Sequence, residues 1–226
     1  MKSNSEKSWD EYWSSSDEKS ALSRGYDVIA SIYRNKLIGP RLDFELSKAF
    51  PSGAQLIHAG SGAGEVDSCV SEKFRITAVD ISRNAVDKYS QFHPGHKAIQ
   101  LDIFKLDGLN EKYDGLYNLG VMEHFSPEEC TKILISAHSV LKPGGKVILF
   151  WPPHYGLSVL FLHFVHGVLR LIQGKNFQSL HPEEPNKAST PRVARKVLGA
   201  SGFKLARFSF SPRDAFTYVV IVGERI

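Results

Sequence analysis

The sequence predicts an α/β domain with a doubly wound, mostly parallel sheet of seven strands and helices on both faces. Three observations support this fold class. A short apolar run, Gln55–Ala59, leads into a turn with glycines at 60, 62 and 64. Short apolar runs then alternate with helical patterns as far as residue 151, which is typical of parallel strands joined by helices. Two final apolar runs, 203–210 and 215–223, have only four residues between them, and so short a connection joins antiparallel strands only.

The periodicity of apolar residues assigns the elements in chain order. Helical spacing occurs in 25–36 and again in 41–50, before Pro51 breaks the chain. The five predicted parallel strands are 55–59, 75–80, 98–101, 113–119 and 146–151, with helices predicted over 64–72 and 83–91. Another helix is expected from Ser126 to Leu141, because Ser126, Pro127 and Glu129 fit an N-cap, an N1 proline and a capping box. A turn over 142–145 separates that helix from the fifth strand.

Length and composition fit one globular domain with an added lid or insertion. At 226 residues, with 42% hydrophobic and 23% charged residues, the chain is ordinary for a water-soluble protein. We divide it into an N-terminal helical segment or lid, 1–50, and a main domain, 51–226, with a helical insertion over 152–190. Two cysteines provide neither a disulfide framework nor metal-ligand spacing, and the N-terminus has no apolar core typical of a signal peptide. We therefore expect a cytoplasmic protein.

The glycine turn predicts a cofactor site of the nucleotide type. Glycine adopts backbone conformations that other residues avoid and allows a ligand to approach the main chain. The N–H groups of a following helix would point at that ligand. The dinucleotide motif has its third glycine one position later, where this chain has Glu65. A carboxylate there would obstruct close packing and repel a pyrophosphate. The alternative interpretation is a tight turn without a ligand.

Acidic residues end two of the predicted strands. Asp80 lies twenty residues after Gly60, where a carboxylate can accept hydrogen bonds from both ribose hydroxyls of an adenosine. Ile81 would then pack on the adenine face. Capping of the helix at 83–91 is the alternative role for Asp80, and Ser82 could also fill it. Asp102 ends the third strand. It either contributes to the cofactor site or is a simple turn aspartate.

The ordered set of motifs resembles the class I S-adenosylmethionine-dependent methyltransferases, with a methyltransferase type 11/12-like domain. The turn resembles motif I of that family, residues 113–125 resemble motif IV and the segment after it, and residues 141–150 resemble the motif before the fifth strand. The resemblance implies a class I fold over about 25–150, and over 190–223 by topology alone. It also implies S-adenosylmethionine as cofactor and S-adenosylhomocysteine as product. The cofactor-binding residues that we predict are Gly60, Ser61, Gly62, Asp80, Ile81, Asp102, Ile103, Asn118, Leu119 and Gly120.

The same resemblance places Glu123 and His124 near the mouth of the site. His124 could act as a general base if the acceptor must lose a proton, and a structural role for the pair is the alternative. Our further candidates for the acceptor site are Trp13, Tyr33, His154 and Tyr155. Trp13 shares one face of a short helical segment with Trp9 and Tyr12. This segment either docks on the core or closes over the cofactor as a lid.

The insertion contains an apolar stretch, 157–172, for which three interpretations stay open. It is shorter than the roughly 20 apolar residues of a membrane span. It packs on the sheet or on a homodimer partner, walls a pocket for an apolar acceptor, or lies in a membrane interface as a peripheral contact. His163 and His166 within it are too few for a metal site, so we predict no metal. The basic residues between 187 and 207 fit a solvated helix face or an anionic partner, and nucleic acid is not expected.

We therefore expect an enzyme that transfers a methyl group from S-adenosylmethionine to a small-molecule or lipid-like acceptor. Two alternatives remain. A non-catalytic, methyltransferase-like module that docks a partner through 157–172 is favoured by His58, because the family usually has an acid at that position, two before the first turn glycine. A nucleotide-dependent oxidoreductase is opposed by Gly64-Glu65 and by the C-terminal hairpin.

Overall fold

Seven strands form one sheet in the order β3-β2-β1-β4-β5-β7-β6. The computed structural model describes Trp9, Asp10, Trp13 and residues 31–70, 72–156 and 190–226. Strand β7 is antiparallel to both of its neighbours, and the other pairings in the sheet are parallel. The predicted fold class is confirmed. The strands are β1 Gln55–Ala59, β2 Arg75–Asp80, β3 Lys97–Gln100, β4 Tyr113–Leu119, β5 Leu141–Trp151, β6 Phe203–Phe210 and β7 Val219–Arg225.

Helices cover both faces of the sheet. The two helical patterns before Pro51 join, within the described residues, into one continuous helix over 31–49. Its middle is the π-helical segment Arg34–Ile38, and its last part is α1, Gly39–Ala49. The other α-helices of the described ranges are α2 Arg83–Phe92, α3 Pro127–Val140 and α4 Pro191–Gly199. Ser82 caps α2, Thr190 caps α4, and Ser126 forms the predicted capping box with Glu129 at the start of α3.

The central strand β5 shows how the two cores are separated. Its side chains alternate between the faces of the sheet, as the period of two requires. Val147, Leu149 and Trp151 belong to the core that α3 and α4 cover. Ile148 and Phe150 belong to the core that α1 and α2 cover. Both sets are fully buried, so β5 is apolar on both faces, as expected for a strand of a sheet that helices cover on both sides.

Helix α1 is joined to the edge strand β6 by buried charges. Glu45 is fully buried and pairs with Arg41 at 2.8 Å and with Arg207 from β6. Arg41 also donates to the Ser209 hydroxyl at 3.1 Å. This network holds the N-terminal helix against the last strand of the sheet.

The predicted helix at 64–72 is wrong in type and length. The segment is a 3₁₀-helix, Glu65–Cys69. Its N-cap, Gly64, has a left-handed backbone conformation, and at its C-terminus the Val70 N–H donates to the carbonyl of Asp67. Strand β3 begins and ends one residue earlier than predicted. The predicted turn at 142–145 lies inside β5, where its pairing with β4 shifts register between Tyr113 and Gly115.

The C-terminal elements also differ from the prediction. Strand β7 begins at Val219 and not at residue 215, because Ala215 and Phe216 have φ values of 52° and 55° and cannot continue an extended chain. The predicted antiparallel hairpin with β6 is present. Helix α4 buries Ala194, Val197 and Leu198, and Val193 is 41% exposed. The start at Pro191, set by the Thr190 cap, fixes this phase.

Several predictions lie outside the described residues. They are the first part of the pattern at 25–36, Tyr12, and the insertion stretch 157–172 with His163 and His166. A search of the described helices found none whose length and apolar character would let it cross a membrane.

Candidate functional site

The turn after β1 requires glycine at each of its three glycine positions. Gly60, Gly62 and Gly64 have φ values of 69°, 53° and 73°, a left-handed region that other residues rarely adopt. The Gly60 N–H donates to the carbonyl of Val79 at 2.8 Å, and the Ser61 N–H donates to the same oxygen at 3.1 Å. The turn is thereby fixed across the carboxyl ends of β1 and β2.

Neighbouring side chains fill the space that a Cβ would need. At Gly60 a Cβ would lie 2.6 Å from a methyl carbon of Val121, and at Gly64 it would lie 2.3 Å from the ring of Tyr89. At Gly62 it would lie 2.6 Å from the indole of Trp13. Conformation and packing therefore select the same residue type at all three positions.

Asp80 lies directly beside this turn, at the end of β2. Its Oδ2 accepts the Gly62 N–H and its Oδ1 accepts the Ser82 N–H, each at 2.9 Å. The residue is 8% exposed, and burial raises the pKa of Asp80 although the two N–H groups act in the opposite direction. Each carboxylate oxygen can accept a further hydrogen bond. The alternative role of Asp80 as cap of α2 is filled by Ser82, whose hydroxyl accepts the Ala85 N–H.

A buried polar cluster lies beneath the turn. Asp67 is fully buried, and its Oδ2 is 2.8 Å from the Nδ1 of His58. Tyr89 donates its hydroxyl to Oδ2 at 2.7 Å, and Tyr117 donates to Oδ1 at 2.8 Å. The His58 and Tyr117 rings are stacked with centroids 4.5 Å apart. We call these four residues the Asp67 cluster.

The Asp67 cluster explains the histidine that the sequence places before the turn. Burial by itself would raise the pKa of Asp67, but the charge and N–H of His58 and the two tyrosine hydroxyls outweigh it, and the pKa is lowered. Asp67 is therefore a carboxylate at neutral pH, and it accepts a hydrogen bond from the Nδ1–H of His58 at 2.8 Å. Sequence reasoning missed Asp67. The sequence did contain a signal for the pair. Asp67 is an acid three residues after Gly64, on the element that follows β1, and β1 contains His58.

Residues near the N-terminus lie on the same site. The Lys88 ammonium donates to the carbonyl of Trp13 at 2.8 Å and also lies over its ring, which holds the indole against Gly62. The Ser82 hydroxyl donates to Asp10 at 2.6 Å. Asn84 donates to the main-chain carbonyl of Asp10 at 3.2 Å. The segment is thus fastened to the start of α2, beside Asp80. Asp10 was not predicted.

Trp9 connects this segment to the far side of the site. Its ring contacts His124 edge-on, with centroids 5.5 Å apart. His124 lies in the short 3₁₀-helix Met122–His124 after β4. The three described N-terminal residues therefore extend from the glycine turn to the predicted general base.

The predicted adenine-side residues follow β2 and β3. Asp102 accepts the Phe104 N–H at 3.0 Å and caps the 3₁₀-helix Ile103–Gly108, so it does fill the turn role that was its alternative. Ile103 is buried. The carbonyl of Ile81 accepts a hydrogen bond from Gln100 at 3.1 Å, which joins the loop after β2 to the last residue of β3.

The end of β4 supplies a buried amide and a tight turn. Asn118 is 1% exposed, and within the described structure its Oδ1 has no hydrogen-bond partner. An unsatisfied buried acceptor is costly, so a ligand with a hydrogen-bond donor would be favoured there. Leu119, which is partly buried, packs on the core under α1. Gly120 has a φ of 66°, and its N–H donates to the Phe150 carbonyl at 3.2 Å.

The remaining acceptor candidates lie around the β6–β7 connection. The Tyr33 hydroxyl is hydrogen-bonded to Thr217 Oγ1 and donates to the carbonyl of Asp214 at 3.4 Å, and burial raises its pKa. His154 and Tyr155 are exposed in the loop after β5. Sequence reasoning missed Tyr218, whose hydroxyl lies 3.7 Å from the Cβ position of Gly120.

Across the described ranges, no group of three or more His, Cys, Asp and Glu side chains is arranged to hold a metal ion.

Comparisons with known proteins agree with this geometry. Residues 57–145 match the family described as "Methyltransferase domain", a range that begins in β1 and reaches the start of β5. A sequence comparison with curated proteins gave no significant match.

Similar solved structures share the fold over most of the chain. One is the magnesium protoporphyrin IX methyltransferase ChlM from Synechocystis PCC 6803 with bound S-adenosylhomocysteine, at 19% identity and a TM-score of 0.64, covering 97% of this chain and 95% of that one. Another is the mitomycin 7-O-methyltransferase MmcR, at 15% identity and a TM-score of 0.63, covering 91% of this chain and 56% of that one.

Proposed function

We propose that this chain, a class I S-adenosylmethionine-dependent methyltransferase, transfers the methyl group of S-adenosylmethionine to a small organic acceptor. The observation that carries the proposal is the junction of the left-handed glycine turn with Asp80. Asp80 accepts the Gly62 N–H at 2.9 Å. Its carboxylate therefore lies beside the main chain of the glycine turn, which a nucleoside can approach closely. The domain match contains both features.

The cofactor fits the residues that line this junction. The two oxygens of Asp80 are the proposed acceptors for the ribose hydroxyls. Ile81, Asp102 and Ile103 would surround the adenine. The Asn118 Oδ1, buried without a partner in the described structure, is the proposed acceptor for the cofactor's ammonium group. Ser61, Leu119 and the glycines Gly60, Gly62 and Gly120 complete the proposed set.

The described N-terminal residues are the proposed cover of the cofactor. Trp13 packs on Gly62 and is held by Lys88, and Asp10 is held by Ser82 and Asn84. This arrangement supports the lid interpretation of residues 1–50, because it fastens the segment to both sides of Asp80. A cover at this place would exclude water from the sulfonium centre.

S-adenosylmethionine supplies an activated methyl group when bound, so the protein mainly has to position the acceptor. Holding the attacking atom in line with the methyl group and close to it accounts for most of the expected rate. His124 is the proposed base for an acceptor that must lose a proton. The edge-on contact with Trp9 would orient its imidazole.

The class of acceptor is proposed from the similar structures. ChlM and MmcR are named for small organic acceptors, a magnesium porphyrin and a mitomycin, and both share the fold of this chain. The alternative, a non-catalytic module, was favoured by His58. That argument is weakened because Asp67 pairs with His58 at 2.8 Å and supplies a negative charge beneath the turn.

Calorimetric titration with S-adenosylhomocysteine tests the proposal. We expect the wild type to bind and Asp80→Ala to bind roughly 100-fold more weakly, because hydrogen bonds to a charged group contribute about 1.5–3 kcal/mol each. Asp107→Ala, an exposed aspartate in the 3₁₀-helix after β3, is the control and should bind like the wild type. Equal affinity of the Asp80 variant and the wild type, or no binding by folded wild type, would refute the proposed site.

A further inference from the structure

We propose that three aromatic rings at the C-terminal edge of the site bind the distal part of an elongated acceptor that carries an aryl or fused-ring group. The rings belong to Tyr155, Phe210 and Phe216, and we call them the aromatic shelf. This inference rests on the proposed function, since it names the class of acceptor for the same site.

The shelf is a continuous surface of rings from three different segments. Phe210 ends β6, and its ring centroid is 5.2 Å from that of Tyr155, at 89°. The Phe216 centroid is also 5.2 Å from that of Phe210, at 52°. Tyr155 is 47% exposed and Phe216 is 37% exposed. Rings at these separations and angles provide edges and faces for a further ring to contact.

Phe216 is held on the shelf in a strained conformation. Ala215 and Phe216 both have left-handed φ values, 52° and 55°, and a bulky residue rarely adopts them. Hydrogen bonds from the Ala215 N–H to the Pro212 carbonyl at 3.0 Å and from the Phe216 N–H to the Ser211 carbonyl at 3.2 Å maintain the turn. Strain of this kind is concentrated at ligand-binding positions. Glycine would be less strained at position 216. The presence of phenylalanine there despite the strain indicates a role for its ring.

The shelf is continuous with the end of β4. The Tyr218 hydroxyl lies 3.7 Å from the place where a Cβ on Gly120 would be. Phe216 is two residues before Tyr218, so their Cα atoms are at most about 7 Å apart. The carbonyl of Thr217, between them, is 2.9 Å from the Cβ position of Gly156, so the loop that carries Tyr155 contacts the same segment. Gly120, Tyr218 and the shelf therefore form one path along the carboxyl edge of the sheet.

The distance along this path sets the size of the acceptor. Strand β6 is three strands from β4 in the sheet, which corresponds to about 14 Å. A molecule that reacts near Gly120 and also contacts the shelf is therefore elongated, with its rings remote from the reacting atom. The continuity with the proposed cofactor end favours such an acceptor over a partner protein. Asp214, the acid of the connecting turn, is fully buried, so it does not place a negative charge on this surface.

A fluorescence titration with the neutral aromatic probe N-phenyl-1-naphthylamine, in saturating S-adenosylhomocysteine, tests the shelf. One variant is Phe216→Gly, which removes the ring and readily adopts the left-handed backbone conformation at this position. The other is Tyr155→Ala, which removes a ring from the other side of Phe210. Phe92→Ala, which removes a phenylalanine ring that is 64% exposed at the end of α2, is the matched control. We expect at least tenfold weaker probe binding for both shelf variants, and wild-type binding for the control.

Two outcomes would overturn the inference: wild-type protein that does not bind the probe, or shelf variants that bind it as tightly as the wild type. Efficient displacement of the probe by dodecanoate but not by 2-naphthol would also contradict it, because the shelf would then select acyl chains. S-adenosylhomocysteine binding is measured in parallel on every variant. Its loss in the wild type would refute the proposed function, whereas its retention with unchanged probe binding would refute the shelf alone.

Discussion

At the scale of single residues, Asp67 is an acid whose side chain is completely enclosed by the protein. It is a fully buried carboxylate that accepts hydrogen bonds from Tyr89 and Tyr117 and pairs with His58. Asp67→Asn keeps the shape and removes the charge, so an NH₂ group replaces one of the two oxygens that accept hydrogen bonds. Hydrogen bonds to a charged group contribute about 1.5–3 kcal/mol each, so losing one of them and weakening the others costs about 3 kcal/mol. We expect that loss in the free energy of unfolding measured in urea, and a loss below about 0.5 kcal/mol would contradict the role given to the cluster.

The pH dependence of this contribution follows from the direction of the Asp67 pKa. The folded pKa is lowered, so the contribution is fully present above the unfolded value of about 3.9 and is lost as pH falls through the folded value. The difference in unfolding free energy between the wild type and Asp67→Asn should therefore be as large at pH 5 as at pH 7, as far as this carboxyl is concerned. It should shrink only below about pH 4. Urea titrations at pH 7, 5 and 3 measure it, with Asp107→Asn as control.

At the scale of elements, the N-terminal segment is expected to slow release of the cofactor. Asp10 is fastened to the hydroxyl of Ser82 and to the side chain of Asn84 at the start of α2. Asp10→Ala removes the carboxylate contact and leaves Asp80 in place. We expect dissociation of S-adenosylhomocysteine to become about tenfold faster, which corresponds to about 1.4 kcal/mol. Stopped-flow displacement measures the rate, and Asp87→Ala on the exposed side of α2 is the control.

An unchanged dissociation rate for Asp10→Ala would show that the segment does not cover the bound cofactor. A slower association with an unchanged dissociation would have the same meaning. Either result would leave the proposed contacts of Asp80 untouched, because those lie on β2 and on the glycine turn.

Elements with a strong local signal were predicted correctly from the sequence. Strands β1 and β4 and the capping box of α3 occur where expected, because their signals are contained in a few neighbouring residues. The start of β7 was misplaced because Ala215 and Phe216 have the composition of a strand but a left-handed backbone. Nothing in the local pattern reveals that conformation.

Contacts between distant residues were beyond sequence reasoning for a different reason. The glycine turn and Asp80 could be paired because the spacing rule of the fold relates them. His58 and Asp67 were not paired, since their contact depends on the 3₁₀-helix that replaces the predicted α-helix after the turn. The contacts of Asp10 and Trp13 likewise join them to Ser82, Asn84 and Lys88, which are about 70 residues away in the sequence.

At the scale of the whole molecule, cofactor binding should stabilise the fold through one site. A ligand that binds only the folded state at 100 times its dissociation constant adds about 2.7 kcal/mol, which corresponds to roughly 5–10 °C in Tm for a chain of this size. We expect this shift with S-adenosylhomocysteine for the wild type and for Asp107→Ala. At the same concentration it should fall to about 1–2 °C for Asp80→Ala, because roughly 100-fold weaker binding leaves that variant only near half saturation. A full shift in the Asp80 variant would place the ligand somewhere other than the junction of β1 and β2.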